Sequence, residues 1–212
     1  MPPVRPTLAR EAAVWVEGRL LVGVDEAGRG PLAGPVVAAA VVFPAGSALM
    51  EGVRDSKTLS APRRQALAVQ IRAAALAVGV AAASVREIDR LNIRVATALA
   101  MHRAVRRLLA HFPASPRPRL LVDGLPVPEL GYEHEALVDG DAHCLSVAAA
   151  GIIAKTVRDR LMRQLAVRHA GYGWERNAGY GSAEHLAAIQ IHGPTAHHRR
   201  SFRPVSQLAF LT

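Results

Sequence analysis

Cysteine occurs once in these 212 residues, at Cys144, so neither an internal disulfide nor a multi-thiolate zinc site can form. Such sparing use of cysteine fits a reducing compartment. No apolar run is long: the longest, Val36 to Phe43, falls far short of the roughly 20 residues a membrane-spanning helix needs. Nor is there an apolar leader near the start, where Arg5, Arg10, Glu11, Glu17 and Arg19 stand instead. Together these absences lead us to expect a cytoplasmic protein with no membrane contact. Internal repeats and low-complexity tails are absent too.

Half of the residues are apolar, enough for one substantial core and a small appended lobe. The net charge is +9, and Lys155 to Arg203 carries nine Lys/Arg against three Asp/Glu, an excess of six. Clustered cations release counterions when they neutralise phosphates, so the C-terminal third is the expected anion-facing side. A biased Arg-rich composition gives the same count, so charge alone does not decide for nucleic acid.

Leu20–Val24, ending at Asp25, and Val36–Phe43, between Pro35 and Pro44, predict two strands joined by the Gly-rich loop 27–34. Ser60 and Pro62 predict a helix start, followed by Leu67, Ile71, Ala74, Ala75 and Val78 at helical spacing. A third strand is expected over 78–85, a second helix over 92–112, and a stiff loop over 113–118. Strands at 120–123 and 136–138 follow, and Asp141 is expected to cap one long helix over 142–169. Its small residues, Ala148, Ala149, Ala150 and Gly151, permit close approach to a sheet. The last forty residues read as Gly-rich loops around a short helix from Ser182 to Ile191. This alternation predicts an α/β or α+β sandwich with its site at one edge of the sheet.

Acids stand where these elements meet: Asp25 and Glu26 at the end of the first strand, Asp123 at the end of the fourth, Asp141 before the long helix. Converging carboxylates suit hard cations such as Mg²⁺ or Mn²⁺, and two such ions about 4 Å apart serve in-line phosphodiester displacement. Neighbouring strand residues face opposite ways, so Asp25 and Glu26 share a site only if the chain bends there. Asp-Gly is also an ordinary turn and Asp an ordinary helix cap, and spacing alone leaves both readings open.

The run Val24-Asp25-Glu26-Ala27-Gly28-Arg29-Gly30-Pro31-Leu32-Ala33-Gly34-Pro35-Val36 resembles the opening signature of the ribonuclease HII family. Asp55-Ser56-Lys57, Ile88-Asp89, Leu91-Asn92-Ile93, Val122-Asp123-Gly124, Gly140-Asp141, Ala154-Lys155, Arg158-Asp159, Gly179-Tyr180 and the run from His197 to Phe202 continue it in order. The likeness spans roughly 22–205. Gly-Arg-Gly is similar to the type 2 form rather than the Gly-Lys-Gly of type 3.

What the resemblance implies is specific. The fold would be a ribonuclease H-like mixed β-sheet flanked by helices with a small helical C-terminal lobe: an extension over 1–19, a catalytic domain over 20–170, and a substrate-contacting segment over 171–212. Asp25, Glu26, Asp123 and Asp141 would hold two Mg²⁺ or Mn²⁺ ions, and cleavage would leave a 3′-hydroxyl and a 5′-phosphate. Substrates would be RNA–DNA hybrids and duplex DNA with embedded ribonucleotides, cut on the ribonucleotide's 5′ side. Gly28, Arg29, Gly30 and Tyr180 would read the junction, and Lys57 would contact phosphate. A monomer is expected.

Departures from the family pattern are Ala178 and Asp139 where lysines are usual, Gly151 for a serine and Ser182 for a threonine. His192, His197 and His198 lack a matching Cys or His pair elsewhere, so we read phosphate or structural contacts rather than zinc. Lys155 and Asp159, four apart on a helix, read as a surface pair. Gln207–Leu211 resembles a short sliding-clamp-binding peptide, against which stands an apolar tail packed on the body. Two other classes share these features: a nucleic-acid-binding protein of the same fold lacking catalysis, against which all four acids are present, and a structure-selective DNA endonuclease or transposase-like enzyme. The second gives no reason for Gly-Arg-Gly paired with Tyr180.

Overall fold

The computed structural model describes residues 5–113 and 117–208. Its helices and strands run α1 (Ala9–Val16), β1 (Leu21–Ala27), β2 (Val36–Val42), α2 (Ala61–Ala74), β3 (Ala77–Ala83), α3 (Val85–Leu109), β4 (Arg119–Asp123), β5 (Glu135–Leu137), α4 (Gly140–His143), α5 (Leu145–Arg168), α6 (Trp174–Asn177), α7 (Ala183–His192) and α8 (Arg203–Leu208). The strands form one mixed sheet in the order β3-β2-β1-β4-β5. β1 and β2, and β2 and β3, pair antiparallel, while β1 with β4 and β4 with β5 pair parallel.

β2 is buried along its whole length, which explains why its Val/Ala run does not alternate with polar residues. Period-2 alternation divides the core into two layers. Val22, Val24, Val36, Ala38 and Ala40 face Ile88, Ala100, Met101, Ala104 and Leu108 of α3. On the opposite face, Ala39 and Val41 meet Leu67 and Ile71 of α2 and Leu145, Ala149 and Ile152 of α5. The approach of α5 to β1 is as close as its small residues predict: a β-carbon at Gly23 would lie 2.2 Å from the Ser146 carbonyl carbon. A third cluster joins Leu32, Ala33 and Met162 to Tyr172, Trp174, Ala188 and Ile189.

Three expectations need correction. The second helix begins at Val85, not Asn92, because Ser84 and Glu87 form a reciprocal capping box. Asn92 instead marks a kink, with φ of 66° and its side chain accepting from the Val95 amide, so it caps the helix's second half. The single long helix capped by Asp141 is in fact two, broken at an extended Cys144. Glu11 of α1, an element not expected from the sequence, reaches across to cap α5, accepting from the Ser146 amide (2.8 Å) and hydroxyl (2.8 Å). Finally, β1 does not stop at Asp25 but runs regularly to Ala27, with Asp25 opposite Ala39 and Glu26 opposite Ala38. No bend occurs there, so the condition set for Asp25 and Glu26 to share a site is itself corrected: they leave opposite faces of the strand, yet at its end Glu26 still acts on Asp25 and Asp123 acts on both.

The proposed surface pair of Lys155 and Asp159 is also different in kind. Lys155 Nζ does reach Asp159 (2.8 Å), but both are largely buried, and Arg64 holds the other carboxylate oxygen (3.0 Å). Arg64 also donates to the Ser56 carbonyl (3.0 Å), so this cluster fastens the Asp55-Ser56-Lys57 turn to α5. Of the clamp-like segment Gln207–Leu211, residues 209–211 lie outside the described part. Among the described residues no helix is long and apolar enough to cross a membrane.

Candidate active site

Parallel pairing of β1, β4 and β5 brings their C-terminal ends to one edge of the sheet, where α/β proteins place their sites. The β1–β4 register sets Val24 opposite Val122, so Asp25 and Asp123 stand at the next step on adjacent strands. Just beyond β5 come Asp139, Gly140 and Asp141, and the Gly140 amide donates to Asp123 Oδ1 (2.7 Å). The Glu26 amide donates to Asp25 Oδ1 (2.6 Å). Behind Asp25 lies α5.

The acids feel one another. Burial, then Glu26, Asp123 and Asp141, push the Asp25 carboxyl well above the ordinary carboxylate range. Burial and Asp123 raise Glu26 against the opposing pull of Arg29, which pairs with it at 3.4 Å. Asp141 is raised by burial, Asp123, Asp55 and Asp139. Asp139, the departure beside Gly140, thus adds negative charge beside Asp141. Asp55, given no role on sequence, belongs to the same field. For Lys57, burial opposes its charge, yet Asp55, Asp25, Asp141 and Asp123 prevail and raise its pKa. Lys57 therefore lies within the electrostatic reach of the acids.

This donor set fits hard divalent cations: only carboxylate oxygens converge, and their negative charge exceeds what Arg29 and Lys57 offset. Among the described residues, no three His, Cys, Asp or Glu side chains are drawn tightly enough to enclose an ion. The four acids share a field rather than a finished coordination sphere.

Past β1, the Gly28–Gly30 loop meets Tyr180. A β-carbon at Gly30 would lie 3.7 Å from the Tyr180 ring, which is 46% exposed, with Lys155 Nζ 5.8 Å from its centroid. Gly28 has a separate reason to be glycine: its φ is 97°, and a β-carbon would sit 1.9 Å from Arg158 Nε. Arg29 and Gly30 are exposed.

Below Tyr180, His185 and His198 are buried. Trp174 Nε1 can only donate, so His185 Nε2 accepts it (2.9 Å), leaving Nδ1–H to donate to the Tyr180 carbonyl (2.8 Å). His198 Nδ1 accepts from the Thr195 amide (2.9 Å), and its Nε2 lies 3.1 Å from His185 Nε2. Burial drives both imidazoles down, His198 to about 3. His198 is thus a structural contact, in keeping with the reading against zinc. His197 packs edge-on against His169 at 4.9 Å.

Folds in which parallel strands deliver acids to one sheet edge include the ribonuclease H-like nucleases, and solved structures place the chain in that class. The complex of PCNA with RNase HII from Archaeoglobus fulgidus matches with TM-score 0.69 and 26% identity, covering 89% of this chain and 96% of that one. Bst-RNase HIII in complex with Mn²⁺ matches in fold with TM-score 0.68 and 20% identity, covering 91% of this chain and 70% of that one. The protein is a nuclease of the ribonuclease H type.

Sequence narrows the class. A family model described as Ribonuclease HII matches residues 22–205. Ribonuclease HII of Cereibacter sphaeroides is 53% identical over 208 residues, 97% of this chain and 94% of that protein. The chain belongs to the ribonuclease HII family, whose members hydrolyse the RNA strand of RNA–DNA hybrids.

Proposed function

We propose that this enzyme cuts on the 5′ side of a ribonucleotide, including a single one embedded in duplex DNA, leaving a 3′-hydroxyl and a 5′-phosphate. The observation that supports this most is the meeting at one edge of the sheet of Asp25, Glu26, Asp123 and Asp141 with Lys57, next to the loop 28–30 and Tyr180. Asp25, Glu26, Asp123 and Asp141 hold two Mg²⁺ or Mn²⁺ ions in this reading. Bound there, the ions supply positive charge to the scissile phosphate and to the leaving oxygen.

The chain's own groups do the rest. Lys57, within the field of the acids, binds a phosphate of the cut strand. Main-chain groups at Gly28, Arg29 and Gly30 meet the 2′-hydroxyl, the group that separates RNA from DNA. The Tyr180 ring stacks on the next nucleotide and disfavours a second hydroxyl there. Residues 171–208 form the substrate-contacting segment. The enzyme works as a cytoplasmic monomer; the Archaeoglobus fulgidus protein solved with PCNA is consistent with a sliding-clamp contact, for which Gln207–Leu211 is the segment we propose, against an apolar tail packed on the body.

The test is incubation with an end-labelled duplex carrying one ribonucleotide, with and without Mg²⁺ or Mn²⁺. A single metal-dependent cut 5′ of the ribonucleotide is expected. An uncut duplex, alongside cleavage of a continuous hybrid, would refute the junction reading.

A further inference from the structure

Arg158 and Arg199 are fully buried, and neither pairs with a carboxylate among the described residues. Each spends its guanidinium on three main-chain carbonyls instead. Arg199 donates to Gly28 (2.6 Å), Arg29 (2.7 Å) and Gly34 (3.0 Å). Arg158 donates to Pro35 (3.0 Å), Ala178 (3.0 Å) and Ala33 (3.1 Å). Burying two cations side by side with no carboxylate in direct contact, only Asp159 and Asp89 acting from further off, is costly, and an apolar side chain of similar size fills such space at less expense. Their presence therefore calls for a reason other than stability.

The six carbonyls supply that reason, because they belong to two segments: the loop running from Gly28 to Pro35, and Ala178, two residues before Tyr180. Further bonds sew the same segments together, with the Leu32 and Ala33 amides both donating to the Gly179 carbonyl (2.8 and 3.3 Å). The carbonyl and N–H of a trans peptide point in opposite directions. With the Gly28 and Arg29 carbonyls held inward by Arg199, the N–H groups of Arg29 and Gly30 turn away from it, and neither donates to an acceptor among the described residues.

We infer that Arg199 and Arg158 are positioning residues that fix the Arg29 and Gly30 amides relative to the Tyr180 ring, and so set the preference for a ribonucleotide beside DNA. The inference rests on the proposed junction reading. Lysine keeps the charge but is a point donor that cannot span three carbonyls held by a planar fork. The experiment compares wild type with Arg199→Lys, Arg158→Lys and Arg158→Gln on two labelled duplexes, one with a lone ribonucleotide and one a continuous hybrid. It measures kcat and KM on each, with thermal unfolding as the check of fold.

In the folded variants, kcat/KM on the lone ribonucleotide is expected to fall about tenfold more than on the hybrid. Equal losses on both duplexes, or an unchanged ratio, would overturn the inference. So would the failure of every variant to fold, Arg158→Gln included, since the pair would then hold the fold rather than aim the loop. Wild type that leaves the lone ribonucleotide uncut refutes the junction reading itself; wild type that cuts it, with variants of unaltered ratio, refutes only the positioning role.

Discussion

Gly151 of α5 backs directly onto Asp25: a β-carbon at position 151 would lie 2.3 Å from Asp25 Oδ2. The serine usual in the family at this position does not fit beside the Asp25 carboxylate as it is arranged here. Glycine in mid-helix costs about 1 kcal/mol relative to alanine, so the space is kept at a cost to the helix.

Substituting Gly151→Ala should turn the Asp25 carboxylate away while the fold survives, because the obstacle is the end of a side chain. Cleavage is expected to fall about tenfold or more, with a smaller change in unfolding temperature. Gly23→Ala is the contrast, since its methyl would strike the Ser146 backbone at 2.2 Å. It should destabilise by about 1–3 kcal/mol or more, read from urea unfolding.

Asp25→Asn should abolish cleavage and, without divalent ions, raise the unfolding temperature. Burial and the neighbouring acids make the Asp25 anion unfavourable in the folded state, and the neutral amide removes that repulsion. Calorimetry should show about 2–4 °C of gain per kcal/mol for a chain of this size. Adding Mn²⁺ at 100 times its Kd should stabilise wild type by about 2.7 kcal/mol and the variant by less.

Tyr180→Ala is expected to weaken cutting at a lone ribonucleotide more than within a continuous hybrid. Base–aromatic stacking contributes about 1–3 kcal/mol, so a roughly 10-fold shift of the ratio is expected in paired assays. Equal losses on both substrates would argue against a role at the junction.

Removing the Glu11 carboxylate with Glu11→Ala should cost about 1–3 kcal/mol, because the Ser146 amide and hydroxyl lose their acceptor in the interior. Equilibrium unfolding checks it.

His198 should remain uncharged at pH 5, and His185 should stay neutral below the pH at which an ordinary imidazole takes up its proton. Their pKa values are lowered by burial, so the neutral forms persist as pH falls below the ordinary imidazole value of about 6.5, and for His198 down toward 3. The stability these neutral rings contribute is fully present above pH ~6.5 and is lost as pH falls toward the folded-state values. Nitrogen NMR should find Nδ1–H on His185 and Nε2–H on His198.

How much of this is legible in the sequence varies with the physics involved. β2 is visible because an unbroken Val/Ala run between two prolines is buried on both faces, and α7 because Ser182 caps it. The start of α3 was missed although Ser84 and Glu87 carry its capping-box signature. The break at Cys144 is invisible locally, since its cause, Glu11, is over 130 residues away. Asp123 precedes an ordinary Asp-Gly turn, Asp141 lies in the first turn of a helix and Asp25 and Glu26 lie in a strand, and only family resemblance singles the four out. Arg158 and Arg199 belong to the family-like runs, but their role is not legible there, because arginine is usually solvated and nothing local marks one that will be buried among carbonyls. Asp55 joins the acids only through the turn that Arg64 fastens to α5.

The most direct measurement is the anomalous scattering of Mn²⁺ in crystals of the enzyme with a ribonucleotide-bearing duplex and an inactivating Asp141→Asn substitution. Manganese peaks touching the carboxylates of Asp25, Glu26 and Asp123 beside the scissile phosphate are the predicted result. Manganese bound elsewhere, or any of those three carboxylates turned away from the metal and the phosphate, would contradict it.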